Sequence, residues 1–168
     1  TDVDGLVTNV PGICLVTSYA DCVPLYFVDP VKKAIGLSHS GWRGTVGKIG
    51  AKTVEVMKDT FGSDPADILA AVGPSVCMDC YEVSGDVIER VEEAFAEHLW
   101  EQLFYRKPDG KYQLDLWKAN ELIFREAGIR PEHIAVTNVC THCNSTIFYS
   151  HRAAGDKRGN LCAFLALK

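Results

Sequence analysis

The sequence predicts a single α+β domain with a mixed β-sheet. Three observations carry that expectation. The chain has 168 residues, the size of one domain with one core. Short runs rich in β-branched and aromatic residues are interspersed with segments of helical periodicity. The two kinds do not alternate strictly, as a doubly wound parallel sheet requires. No repeat, low-complexity segment or linker interrupts the chain, so residues 1–168 read as one domain.

Taken in order, strand-like runs come first, at Ile13 to Tyr19, Pro24 to Val28 and Ala34 to Ser38. Residues 46–61 then read as an amphipathic helix, with Ile49, Val54 and Met57 on one side and Gly62 as its stop. Ile68 to Val72 is a short apolar strand ending at Gly73-Pro74. A second helix is expected over Val87 to Leu99, where Val87, Val91, Ala94 and Phe95 recur at helical spacing. Asp115 is placed to cap a third, running to Glu126 with Gly128 beyond it. Ile134 to Val139, Thr146 to Ser150 and Leu161 to Leu167 read as closing strands.

Bulk properties exclude some functions. Hydrophobic residues make up 47% and charged ones 23%, the balance of an ordinary soluble globular protein. No apolar run reaches the roughly 18 residues of a membrane helix. A net charge of −5 argues against a nucleic-acid surface, which needs a basic face. The chain opens on Thr1, and TDVDGLVTNVPG has neither the basic segment nor the apolar core of a signal peptide. The domain is therefore expected to be N-terminally incomplete. Seven cysteines cannot all pair, and without a secretory signal they read as reduced and cytoplasmic. That context favours metal binding or catalysis over disulfides.

The chemistry gathers around GLSHSGWRGT, Gly36 to Thr45, where His39 and Arg43 stand among three glycines. Glycines permit tight turns and close approach of a ligand, and His and Arg handle metals, protons and anions. A type I turn over Asp29-Pro30-Val31-Lys32 would pair Asp29 with Lys32 and set Cys22 opposite His39. A longer loop would shift the register by one or two residues and leave them neighbours. A neighbouring thiol and imidazole admit three readings. They are a buried cysteine and a satisfied histidine, a nucleophile–base dyad, or two ligands of a zinc that needs a third. Asp21 is either an orienting group or base, or a solvated turn residue. Trp42 reads as a packing residue before a base-stacking one.

ADCVPLYFVDP, AIGLSHSGWRGT, VGPSVCMDCYEVSGDV, QLDLWKAN and CTHCNSTIFYSHR occur in that order. Together they resemble the YfiH/YlmD family, labelled laccase-domain or polyphenol oxidase and later described as purine nucleoside phosphorylase. The resemblance runs from Asp2 to Leu167. It implies an α+β fold related to cysteine-hydrolase-like toxin domains. It also implies zinc-dependent purine nucleoside phosphorylase activity with adenosine deamination as a side activity, acting on a purine nucleoside and phosphate. The family's zinc is described as held by Cys, His and a second His. Cys22 and His39 match two of these; the third lies in a Gln-Val-His-Gly-like segment that has no match here. For the phosphate, Arg43 on its Gly-flanked loop is suited to grip with a bidentate fork, and Arg152 is the weaker candidate. Where the family usually runs Ser-His/Tyr-Arg-Arg-Asp, this chain has Ser150-His151-Arg152-Ala153-Ala154, one Arg and one Asp fewer.

The rival functions are a metal-free cysteine hydrolase or deamidase using Cys22 and His39, and a non-enzymatic metal-binding module. The latter would use the CxxC pairs Cys77/Cys80 and Cys140/Cys143, if the fold brings them together. Cys14 and Cys162, in apolar runs, are expected in the core. Five histidines, of which one is in a ligand-like setting, are too few for multicopper oxidation.

Overall fold

The computed structural model describes residues 3–168 and shows an α+β domain built around a mixed five-stranded sheet. In chain order the elements begin with β1 (Gly5–Thr8), β2 (Cys14–Tyr19), β3 (Val23–Asp29) and β4 (Ala34–Ser40). Helices α1 (Trp42–Val46) and α2 (Ile49–Phe61) follow, then β5 (Leu69–Val72), β6 (Glu82–Val83), α3 (Gly85–Ala94) and α4 (Trp100–Leu103). The last third holds β7 (Phe104–Arg106), β8 (Tyr112–Leu114), α5 (Leu116–Glu126), β9 (Ile134–Val136), α6 (His151–Ala154) and β10 (Leu161–Ala166). The main sheet runs β1-β4-β3-β5-β9, antiparallel except for the parallel pair β5–β9. A β10–β2 ribbon and a small β6-β8-β7 sheet complete the fold.

Both faces of the central strands are covered, which is why β3 and β4 read as nearly continuous apolar runs. Leu25, Phe27 and Ala34 pack with Met57 of α2 and Ile123 and Phe124 of α5. Ile35 and Leu37 point the other way, onto Leu15, Tyr19 and Ala163 of the ribbon. Gly36 lets α2 come close: a Cβ there would lie 3.2 Å from Met57 Sδ and 3.0 Å from Thr53 Cγ2.

Several boundaries differ from the sequence reading, each for a local reason. The expected helix over 46–61 is broken at Gly47-Lys48, where Lys48 is left-handed (φ 56°), and resumes at Ile49. The second helix spans Gly85–Ala94 and stops because Phe95 is extended; Trp100 Nε1 donates to the Phe95 carbonyl at 2.8 Å. The third matches its expectation: the Asp115 carboxylate accepts from Lys118 N at 2.8 Å, and Gly128 is left-handed (φ 93°). Residues 146–150 form no strand. Backbone N–H groups of Ile147 and Phe148 donate to the Asn144 carbonyl, and local turns win over β-propensity. Nor are Cys14 and Cys162 core residues. Both are exposed, because they fall on the outward face of the ribbon while Leu15 and Ala163 take the inward one.

Candidate functional site

The site grows from the end of the β3–β4 hairpin. The Asp29 carboxylate accepts from Val31 N at 2.8 Å and Lys32 N at 2.9 Å, and Lys33 is left-handed (φ 52°). This Asx-type turn is longer than a two-residue turn, so Asp29 faces Ala34 and Pro24 faces His39. The register is therefore displaced by two from the simplest expectation, and Cys22 lies just ahead of β3. The two residues remain neighbours around Gly41. A Cβ at Gly41 would stand 3.1 Å from Cys22 Sγ and 3.9 Å from His39 Cε1. The missing side chain leaves that space free for a ligand.

A buried polar network pins the loop. Ser40 Oγ donates to Asn120 Oδ1 at 3.0 Å, and Asn120 Nδ2 donates to Thr45 Oγ1 at 3.2 Å and to the Leu116 carbonyl at 2.8 Å. Thr45 Oγ1 in turn donates to the Gly41 carbonyl at 3.0 Å. All three side chains are buried, so the bonds are made without competition from water. The WKAN segment of α5 thus holds the loop that carries His39.

His39 is oriented from two sides. Its Nδ1 lies 3.3 Å from Asp4 Oδ1, and the Tyr19 ring packs 5.4 Å away, centroid to centroid. With Nδ1–H donating to the carboxylate, Nε2 keeps its lone pair free, the arrangement metal-binding histidines usually show. The imidazole remains about one-third exposed (32%).

Beside Cys22 opens a cavity of about 250 Å³, lined by Asp21, Cys22, Tyr81, His151, Arg152 and Arg158 among others. The volume sits just under the roughly 300–1,000 Å³ of small-molecule sites. Arg152 lies over the Tyr81 ring, 4.7 Å from its centroid, and Arg158 Nε donates to His151 Nδ1 at 3.3 Å. Burial pushes the Cys22 thiol up from its ordinary value; the Asp21 carboxylate adds to this and the Arg158 guanidinium opposes it. Burial, helped by Cys22, also pushes the Tyr81 phenol up, to about 12.

Asp21 is buried rather than a solvated turn residue. Its backbone is left-handed (φ 81°), a conformation Asp tolerates better than most. Oδ1 accepts from the Thr141 hydroxyl at 2.6 Å and Oδ2 from Arg152 N at 2.7 Å. One carboxylate therefore ties the Cys22 turn to the 141 loop and to α6.

Of the residues singled out from sequence, Cys22 and Arg152 line the cavity, and His39 adjoins Cys22 across the Gly41 space. Arg43 is exposed and stacks on Trp42, 4.4 Å from the ring centroid, away from the cavity lining. Trp42 packs against the core. Sequence reasoning missed Tyr81, Arg158 and Asp4. Arg158 had one usable signal, a basic residue in the Gly-rich loop GDKRGN six positions beyond Arg152. Asp4 and Tyr81 had none, since only β1–β4 pairing and the fold of the 77–81 turn bring them here.

Among the described residues, the one cluster of three or more potential metal donors is Cys77, Cys80, Cys140 and Cys143. Their sulfurs all lie within 4.8 Å of one another. Such a cluster can hold a metal ion.

This fold and these motifs define a protein class. Residues 1–168 match the family model described as "Multi-copper polyphenol oxidoreductase laccase", and the chain belongs to that family. It is 38% identical over 165 residues to purine nucleoside phosphorylase YlmD of Bacillus subtilis, covering 98% of this chain and 59% of that protein. It is 39% identical over 158 residues to adenosine deaminase RL5 from an unknown prokaryotic organism, covering 94% of this chain and 59% of that protein. The crystal structure of Bacillus licheniformis YfiH superposes with a TM-score of 0.93 at 37% identity, covering 98% of this chain and 61% of that one. The chain thus spans about three fifths of the length of these relatives. No helix among the described residues is long and apolar enough to cross a membrane.

Proposed function

We propose that this chain carries the core of a zinc-dependent purine nucleoside phosphorylase with adenosine deaminase side activity, acting on a purine nucleoside and phosphate. The observation that carries the reading is a thiol and two guanidiniums, Cys22, Arg152 and Arg158, on the wall of one cavity. Relatives named purine nucleoside phosphorylase and adenosine deaminase support it.

The residues present fit zinc. Cys22 and His39 would hold it, as a soft thiolate and an imidazole with Nε2 free, around the space that Gly41 leaves. A third ligand would complete such a site, a histidine of the Gln-Val-His-Gly-like kind that the resemblance implies. When bound, the metal supplies Lewis acidity. The chain's own groups do the rest. Arg152 and Arg158 grip phosphate, whose oxygen attacks the sugar carbon as the glycosidic C–N bond breaks, and the base leaves with a proton. Arg43 is a further phosphate candidate on the neighbouring loop. Tyr81 stays protonated at neutral pH and offers a hydrogen-bond donor to the sugar or base. The raised Cys22 pKa counts against a metal-free cysteine hydrolase, which needs a ready thiolate.

The test is phosphate-dependent release of adenine from adenosine, measured in this chain and in any longer form the gene encodes. Cys22→Ala should abolish it. Retention of activity in Cys22→Ala would refute the assignment.

A further inference from the structure

The geometry points to a second, structural metal site: we infer that Cys77, Cys80, Cys140 and Cys143 bind one zinc ion as a tetrathiolate. The two CxxC pairs are far apart in sequence, Cys80 and Cys143 by 63 residues, and the fold brings them together. The parallel bridge between Ser75 and Cys140 does so, with Ser75 N donating to the Val139 carbonyl and Thr141 N to the Ser75 carbonyl.

Four sulfurs around one point are an arrangement for a cation. All lie within 4.8 Å of each other, and Cys80 Sγ is 3.5 Å from Cys143 Sγ. Tetrahedral zinc with bonds of about 2.3 Å sets sulfurs about 3.8 Å apart, inside that range. A disulfide, with sulfurs about 2.05 Å apart, would join only two of the four. The backbone supplies an independent sign. Cys77 N and Cys143 N both donate to Cys140 Sγ, at 3.3 and 3.4 Å. Two amide donors aimed at one sulfur suit a thiolate held by a metal better than a neutral thiol. The chemistry selects a thiophilic ion of tetrahedral preference, and zinc meets it without redox change. Binding replaces thiol protons by one divalent ion, and the protons leave to solvent.

The site has a function in the fold. Each CxxC turn is short, and the metal would act as a clasp that reinforces the Ser75–Cys140 bridge between them. Cys80 precedes Tyr81 of the cavity wall, and Cys140 precedes Thr141, which holds Asp21. The clasp thus fixes two walls of the cavity from behind. It is separate from the zinc assigned to Cys22 and His39 and stands whether or not that assignment does.

The experiment uses Cys22→Ala protein, so that metal at the other site does not count. Native mass spectrometry should show one zinc per chain, replaced on cobalt exchange by the visible absorption of a tetrahedral cobalt thiolate. Cys143→Ser in that background should lose the ion. Its melting midpoint should fall by about 8–16 °C, the shift expected for losing a ligand present at a thousand times its Kd. Four freely alkylated thiols with no metal would overturn the proposal, and so would a mass two or four hydrogens short. Iron in place of zinc would overturn the choice of ion. Should Cys143→Ser fail to fold, chelation of the Cys22→Ala protein gives the same reading through its midpoint and mass.

Discussion

Replacing Asp21 by Asn tests how the site is assembled. The change keeps size and shape, and Asn tolerates the left-handed backbone that Asp21 adopts. It removes the charge from a buried carboxylate that accepts two bonds, from the Thr141 hydroxyl and Arg152 N. Hydrogen bonds to a charged group contribute about 1.5–3 kcal/mol each, against about 1 kcal/mol for a neutral one. Asn can still accept one bond through its carbonyl, while its NH2 group must face a donor. The expected loss is about 3 kcal/mol. For a chain of this size that is a fall of about 6–12 °C in melting midpoint, read by calorimetry. Asp21→Asn combined with Thr141→Val should cost less than the sum of the two single changes, because the variants share one bond. A single-variant shift under about 2 °C, or strict additivity, would refute the claim that Asp21 clamps the Cys22 turn to the 141 loop and α6.

Gly41→Ala is compatible with the backbone (φ −78°), so its new Cβ should act only by crowding Cys22 Sγ. Zinc at Cys22 and His39, measured as metal per chain, should fall at least about 10-fold in affinity with the melting midpoint nearly unchanged. Asn120→Ala should cost about 2–3 kcal/mol in urea unfolding, since Ser40, Thr45 and the Leu116 carbonyl each lose a buried partner. Arg158→Ala should raise the KM for phosphate more than the KM for nucleoside. Arg43→Lys, which keeps the charge but loses the planar fork, separates a phosphate role from a packing one on Trp42: a phosphate role raises the phosphate KM and spares deamination.

Much of this molecule is written locally. The α+β class, the cap at Asp115, the stop at Gly62 and the neighbourhood of Cys22 and His39 follow from periodicity, turn chemistry and a short hairpin, all interactions over a few residues. Even there the register moved by two, because the Asp29 side chain bonds two backbone amides and lengthens the turn. Inside or outside was less legible. Cys14 and Cys162 sit among apolar residues, yet strand alternation on a ribbon covered on one face turns them outward. The cavity could not be read at all from neighbours in sequence. Cys22, Tyr81 and Arg158 line it from three separate segments and Asp4 reaches His39 from a fourth, and only the closing of the sheets and loops sets them in place. The same holds for the four cysteines. Their spacing offered two CxxC pairs, and the bridge between Ser75 and Cys140 decided that the pairs meet, because convergence of distant segments depends on packing the whole chain.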